Sequence, residues 1–308
     1  MYNYKAYNLS IKSDFYFPEL LDIENSASSD IEIRISFLSI SNSEIDNHPT
    51  SFLGKVDGAG LFLIRNGNEI IVDPEPGVEE ALIRPLLLGP IMCILLRQRG
   101  MLVLHGSSVV IGDEAIAFIG HSGWGKSTLA DSFHAKGYPL LTDDVMALRM
   151  DRTQPIVFPS FPQVKLWPDA AKSIGHDPSQ LPFLNSQSEK LAHKLTNGFV
   201  RDALPLKRLY VLGVGTHHEI ISLQPQQAFV ELVRHSRTIT LLNDSLFLGN
   251  HLQHCTKLIE QVPIALLNRC KSLAAIPELI ELIENDIATL NSQIWENQRN
   301  DSYSLCSA

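Results

Sequence analysis

Residues 114–137, EAIAFIGHSGWGKSTLADSFHAKG, leave this chain little choice of fold. An apolar run of strand character meets, without a linker, a segment holding three glycines, a lysine and two adjacent hydroxyls. Leu129, Ala130 and Phe133 then recur at helical spacing until Gly137 closes the helix. A strand that turns straight into a helix lays that helix on a face of its sheet, which is the layer arrangement of α/β proteins. The turn has a chemistry of its own. Glycines let the backbone curl so that successive N–H groups point inward, and the helix N-terminus adds partial positive charge, so the turn is an anion cup.

Gly120, Gly125, Lys126 and Ser127 satisfy GxxxxGK[ST] in the strand-before, helix-after setting that this pattern requires. The expected occupant is the triphosphate of ATP. Gly120, Ser122, Gly123, Trp124, Gly125, Lys126, Ser127 and Thr128 form its contact loop, Lys126 reaches the β- and γ-phosphates, and the Ser127 hydroxyl ligates Mg²⁺. Asp143 and Asp144 end the apolar run PLL and its following threonine, 17 and 18 residues beyond Lys126. Carboxylates at the carboxyl end of a strand beside such a loop face the ligand crevice. Adjacent strand residues point to opposite faces, so the two are expected to differ in role: one holds Mg²⁺, the other accepts a proton from an incoming nucleophile. The plainer reading of the pair is a turn or helix cap. His105, in VLHGSSVV, ends the strand expected to neighbour the loop.

Composition narrows the partners. With 25 basic against 34 acidic residues the net charge is −9, and no lysine- and arginine-rich run offers a footprint for nucleic acid. The longest apolar stretch, PLLLGPIMCILL at residues 85–96, is too short for a bilayer span and carries two prolines, so a buried helix is expected and no membrane partner. The N-terminal MYNYKAYNLSIKSDFYF lacks the basic and apolar regions of a secretory leader. Cys93, Cys255, Cys270 and Cys306 lie far apart with no CxxC, which suits a reducing compartment; the expectation is a cytoplasmic protein.

Along the chain, IEIRISFLSI, polar SNSEIDNHPTS, GLFLI, the Asn66-Gly67 turn and EIIVD read as a β-rich N-terminal domain over residues 1–77. Residues 78–99 follow as a connecting helix, stopped at Gly100, and residues 100–308 form the main domain. Within it MLVLHGSSVVI reads as one strand, KRLYVLGVG and PIALLNR as further strands, the proline-rich 155–185 as loop and short helix, and 276–296 as a terminal amphipathic helix.

LHGSSVV, GHSGWGKST and LTDDV, in this order and spacing, resemble the kinase domain of HPr kinase/phosphorylase over roughly residues 100–150. The resemblance implies an α/β fold in which a P-loop-containing kinase domain of HPr kinase type, with a mixed sheet, follows a small β-rich N-terminal domain. It implies Asp143 as catalytic base for a serine hydroxyl, Asp144 as a metal-side carboxylate, Lys126 as phosphate clamp, His105 near the transferred phosphoryl group, and a homo-oligomer as one available assembly. In layout the chain is similar to the HPr kinase-like proteins of peptide-biosynthesis clusters, some of which phosphorylate a serine of a lasso-peptide precursor. The shared features are the apolar helix before LHGSS, the PSFPQVKLWPD segment and the late PIALLNR strand.

Departures are as definite. His121 stands where that family usually has an acid and Thr128 where it has glutamate, no glutamate lies between Asp144 and Glu189, and the Asn-Val-Arg-Gly stretch tied to the phosphorylase reaction is missing. The loop reads only the phosphate donor, so a peptide or protein kinase, a small-molecule kinase and an inactive nucleotide-gated module all stay open. Lys165, Lys207, Arg208 and the VRHSR run of Arg234, His235 and Arg237 are further cations available to an acidic substrate, each also readable as a solvated surface group. His217 and His218 have no third ligand nearby in sequence, and no transition-metal site is expected.

Overall fold

The computed structural model describes residues 1–24, 28–38, 50–239 and 245–305; the polar segment expected after residue 40 falls mostly outside the described residues, as does Cys306. The chain is a mixed α/β protein built on two large mixed sheets. Its first strands are β1 (Tyr2–Ala6), β2 (Leu9–Ser13), β3 (Leu21–Asp22), β4 (Ile31–Ile35), β5 (Ser51–Val56), β6 (Gly60–Arg65) and β7 (Glu69–Pro74). They form one sheet in the order β3-β1-β2-β4-β7-β6-β5, parallel at β2–β4 and β4–β7 and antiparallel elsewhere. Asn66 and Gly67 between β6 and β7 have φ of 55° and 63°, the double left-handed conformation of a tight hairpin turn. Tyr7 and Asn8 between β1 and β2 do the same at 55° and 56°, although a tyrosine there carries no turn signal in the sequence.

The apolar run is helical but broken. Helix α1 (Glu80–Leu86) passes through a π-helical turn, Leu87–Ile91, into α2 (Met92–Gln98). The break falls at Gly89-Pro90, where Gly89 leaves helical geometry and proline has no N–H to continue the ladder. This segment packs against both halves of the molecule. Ile83, Leu87, Met92, Cys93 and Leu95 share one buried cluster with Tyr4, Phe15, Phe62 and Ile64 of the first sheet, and with Val103, Val145, Ala147 and Phe158 beyond it.

The second sheet comprises β8 (Leu102–Leu104), β9 (Gly106–Ile111), β10 (Glu114–Ile119), β11 (Leu140–Thr142), β12 (Met146–Arg149), β13 (Ile156–Val157), β16 (Leu204–Val214), β17 (Glu219–Ser222) and β18 (Ile264–Arg269); a separate pair joins β14 (Gln163–Leu166) to β15 (Leu191–Lys194). Its main path runs β11-β9-β10-β16-β13-β12-β8, with β18 on β16 and β17 on β18. Helix α3 (Lys126–Ala135) and α7 (Ile276–Leu305) cover one face, where Leu129, Phe133, Leu279 and Ile283 meet Phe118 and Tyr210. Helices α5 (Pro225–Arg234) and α6 (Ser245–Gln261) cover the other through Leu232, Cys255 and Leu258. Among the described residues, no helix is long and apolar enough to cross a membrane.

Three expectations change. MLVLHGSSVVI is two strands, not one: the chain breaks at His105, β8 pairs with β12, and β9 pairs with β10 and β11. The apolar run ends at Leu104 and gives way to His105, Gly106, Ser107 and Ser108 before Val109, and the chain changes strand partners at that polar interruption although both strands are buried. Residues 155–185 hold the expected loop and short helix, α4 (Pro168–Ile174), but also two short strands, β13 and β14, that were not expected. Asp143 and Asp144 lie past the end of β11 rather than within a strand, and Asp144 has a left-handed backbone, φ 68°.

The β1–β2 turn reaches across to the second half. Tyr7 N–H donates to Pro159 O at 2.7 Å, and Tyr7 is 1% exposed, its hydroxyl buried without a hydrogen-bond partner among the described residues. A buried, unpaired hydroxyl costs about 1–3 kcal/mol, so Tyr7→Phe is expected to match or exceed the wild-type unfolding free energy. Tyr7→Ala, which empties the site, should lose about 3–5 kcal/mol. Chemical denaturation measures both, and a Tyr7→Phe protein weaker by more than about 1 kcal/mol would show that the hydroxyl has a partner.

Candidate active site

β10 delivers the chain to Gly120 and α3 begins at Lys126, so the GHSGWG loop lies between a buried central strand and the helix covering it. Gly123 and Gly125 both have φ +79°, where a side chain is strained, and a Cβ on Gly125 would lie 3.0 Å from an Arg269 Nη2 atom. That guanidinium, at the end of β18, donates to Trp124 O and pins the loop from below. Helix α3 has no side-chain cap at its N-terminus, which leaves its first N–H groups facing the loop.

Lys126 is 5% exposed, and its ammonium donates to Gly120 O at 2.8 Å and His121 O at 3.0 Å. Burial is the main influence on it and lowers its pKa to about 8, although the charges of Asp143 and Asp144 pull the other way. Ser127 Oγ donates to Asp143 Oδ1 at 2.8 Å. Thr128 is buried in the first turn of α3, and Ser122 lines the cleft. The ring of His121 packs edge-on to Trp124, 4.7 Å between centroids, and to His235 at 5.0 Å.

The two aspartates sit in unlike surroundings. Asp143 is 3% exposed and both its oxygens are engaged: Ser107 and Ser127 hydroxyls donate to Oδ1 at 2.6 and 2.8 Å, and Lys165 N–H donates to Oδ2 at 3.0 Å. Burial raises its pKa, the charge of Asp144 adds to the rise, and these hydrogen bonds offset it only in part. Asp144 lines the cleft among cations. Lys165 Nζ donates to Oδ2 at 2.7 Å, Arg237 Nη2 donates to Oδ1, and His105 Nδ1 lies 3.2 Å from Oδ1. Burial alone would push Asp144 up, but Lys165, His105 and Arg237 outweigh it and hold the carboxyl well below the usual range.

Asp144 turns away from Asp143 through its left-handed backbone, not through strand alternation, so the divergence expected from the sequence exists for a different reason. His105 is held at the β8–β9 break: its N–H donates to His235 O at 2.8 Å, and its Nδ1 lies 2.5 Å from Arg237 Nη2.

Two of the cations offered as candidates for an acidic substrate, Arg237 and Lys165, lie here. Arg237 lies beyond the end of α5, its N–H on Val103 O at 2.9 Å, and Lys165 projects from β14. Lys207 and Arg208 do not: they pair with Glu114 and Asp286, and neither lines this cleft. Ser107, Lys190 and Arg269 were not singled out by the sequence. Ser107 stands in the LHGSS motif, whereas Lys190, 5.5 Å over the Trp167 ring at the cleft edge, has no local signal.

No protein-family description and no curated relative matches the chain. Among solved structures, the Hpr(Ser) kinase/phosphatase from Coxiella burnetii is similar at 13% identity and a TM-score of 0.36, over 64% of this chain and 96% of that one. At that distance the likeness assigns neither a function nor a site residue.

With its pKa near 8, Lys126 carries its charge below that pH and loses it above. Affinity for a polyphosphate anion such as pyrophosphate should therefore fall as pH rises from 7 to 9, and Lys126→Arg, charged throughout, should flatten the profile. Titration calorimetry across this range checks it, and a flat wild-type profile would mean that Lys126 does not contact the anion.

Proposed function

We propose that the chain is an ATP-dependent kinase that passes the γ-phosphoryl group to a serine hydroxyl of a peptide or protein. The observation carrying this reading is that an anion-shaped loop and two unlike carboxylates, one locked to Ser127 and one ringed by Lys165, Arg237 and His105, meet at one cleft.

The residues fit the group. Glycine-framed N–H donors and the uncapped α3 suit a polyphosphate, and the paired Ser127 hydroxyl and Asp143 carboxylate are the hard oxygen donors that Mg²⁺ takes. Bound Mg²⁺ supplies neutralisation of charge on the phosphate oxygens. Lys126 is the clamp for those phosphates, exchanging its two loop carbonyls for phosphate oxygens. Arg237, Lys165 and Lys190 give a net-acidic chain the local positive field that phosphoryl transfer needs.

Access supports a division of labour between the aspartates. Asp143 accepts three hydrogen bonds and is sealed, so it serves the metal side through Ser127; Asp144, open to the cleft and ionised, faces the acceptor. This exchanges the roles that the family resemblance implies. A partly exposed Trp167 at the cleft edge, with Lys190 over its ring, suits an acceptor as large as a peptide.

Incubation with γ-labelled ATP, Mg²⁺ and serine-containing peptides should label the peptide, while free serine and sugars stay unlabelled; transfer to no acceptor would sink the reading. Lys126→Ala should slow transfer by about 10²–10³, the usual loss for one preorganised electrostatic contact. Asp144→Asn should cut turnover while sparing nucleotide affinity, and Asp143→Asn should chiefly raise the Mg²⁺ concentration needed. If Asp144→Asn turns over like wild type, the proton acceptor is elsewhere.

A further inference from the structure

Behind the phosphate loop, on the side of α3 that faces α4 and the β14–β15 pair, lies a cluster that the kinase reading does not use. Asp131, in the middle of α3, is fully buried and has no lysine or arginine partner among the described residues. Its two oxygens are each met by an imidazole: His176 Nε2 is 2.8 Å from Oδ2, and His193 Nδ1 is 2.9 Å from Oδ1. The three ligand atoms lie within 4.8 Å of one another. The two rings are 4.1 Å apart between centroids.

The geometry suits a metal ion. A buried carboxylate and two imidazole nitrogens from three pieces of chain bring three donor atoms within 4.8 Å of one another, and one divalent cation would be held by both rings together with the carboxylate.

The donor set selects the metal class. Two imidazole nitrogens and one carboxylate oxygen suit zinc and its transition-metal neighbours, unlike the all-oxygen donors at Ser127 and Asp143. A tetrahedral site with bonds of about 2.0–2.1 Å separates ligand atoms by roughly 3.4 Å, so the observed spacing needs only small side-chain shifts. His176 and His193 are partly exposed, at 25% and 15% of their side chains, which leaves a way in for the ion and a position for water as fourth ligand.

We infer that Asp131, His176 and His193 form a binding site for a divalent transition metal, zinc foremost. The three ligands stand on separate pieces of chain: α3, which starts at Lys126 and Ser127; the turn that closes α4; and β15, the partner of the strand carrying Lys165. The metal is a strut holding the Lys165 strand against the helix of the phosphate loop. This site stands whether or not the chain is a kinase.

The test uses the full chain stripped with chelator and titrated with Zn²⁺ alone. The wild type should take up one Zn²⁺ per chain, show the visible absorption of a low-symmetry site when Co²⁺ replaces it, and gain about 2 °C or more in melting temperature with Zn²⁺ in excess. His176→Gln and His193→Gln should each weaken uptake by at least about tenfold, since even outer partners of metal ligands are worth that much. Uptake by the other histidines or by Ser127 and Asp143 would survive these changes. His176 lies past the end of α4 and is the more exposed, so its variant keeps the test decisive if His193→Gln or Asp131→Asn fails to fold. No uptake by the wild type, or equal uptake by a folded His176→Gln, overturns the proposal.

Discussion

The Asp143 carboxylate is the point on which the rest of the site depends. Ser107 comes from β9, Ser127 from the first turn of α3, and the Lys165 N–H from β14, so one buried group ties together three elements far apart in sequence. Desolvation raises the cost of leaving any of its lone pairs unmet, and each of the three donors lowers that cost. The GHSGWG loop, the strand break at His105 and Lys165 on β14 are thereby held in one relative geometry. Asp144, one residue on, is free to face the cleft because the backbone there turns left-handed.

The broken helix from Glu80 to Gln98 plays a comparable part on the larger scale. Helix α1 buries only Ile83, but from Leu87 to Arg97 the residues are buried apart from Pro90, which a helix tolerates only when it is covered from several sides. Here it is covered by the first sheet and by residues next to the site, including Val103 and Val145. The β1–β2 turn adds a direct link, with Tyr7 close enough to Asp144 and Arg237 for their charges to act on its hydroxyl. The first sheet is therefore structurally continuous with the surroundings of the cleft.

The legible parts of the sequence were those whose signal is local. The strand, glycine loop and helix over residues 114–137 could be read because tight turns demand glycine and helices demand a 3.6-residue period. The Asn66-Gly67 hairpin, the strand at Leu204–Val214 and the terminal helix are legible for the same reason. The break at His105 was not, because the change of strand partner there is set by pairing of β8 with β12 and of β9 with β10, partners distant in sequence for β8. The Tyr7-Asn8 turn was not, because tertiary contacts at Pro159 impose a conformation that tyrosine disfavours. Arg237 and Lys165 could be read either as substrate-facing or as surface cations, because nothing local ties them to an aspartate 93 and 21 residues away.

By itself, the sequence determined that an α/β protein would present an anion-shaped loop with a lysine, a hydroxyl and two nearby carboxylates, since each rests on residue types within a short span. Only the tertiary structure decided which carboxylate is sealed and which faces the cleft, which cations ring the latter, and that Asp131, His176 and His193 converge. Those outcomes depend on burial and on charges brought together from distant strands, and neither dehydration nor long-range Coulomb energy leaves a periodic trace in a sequence.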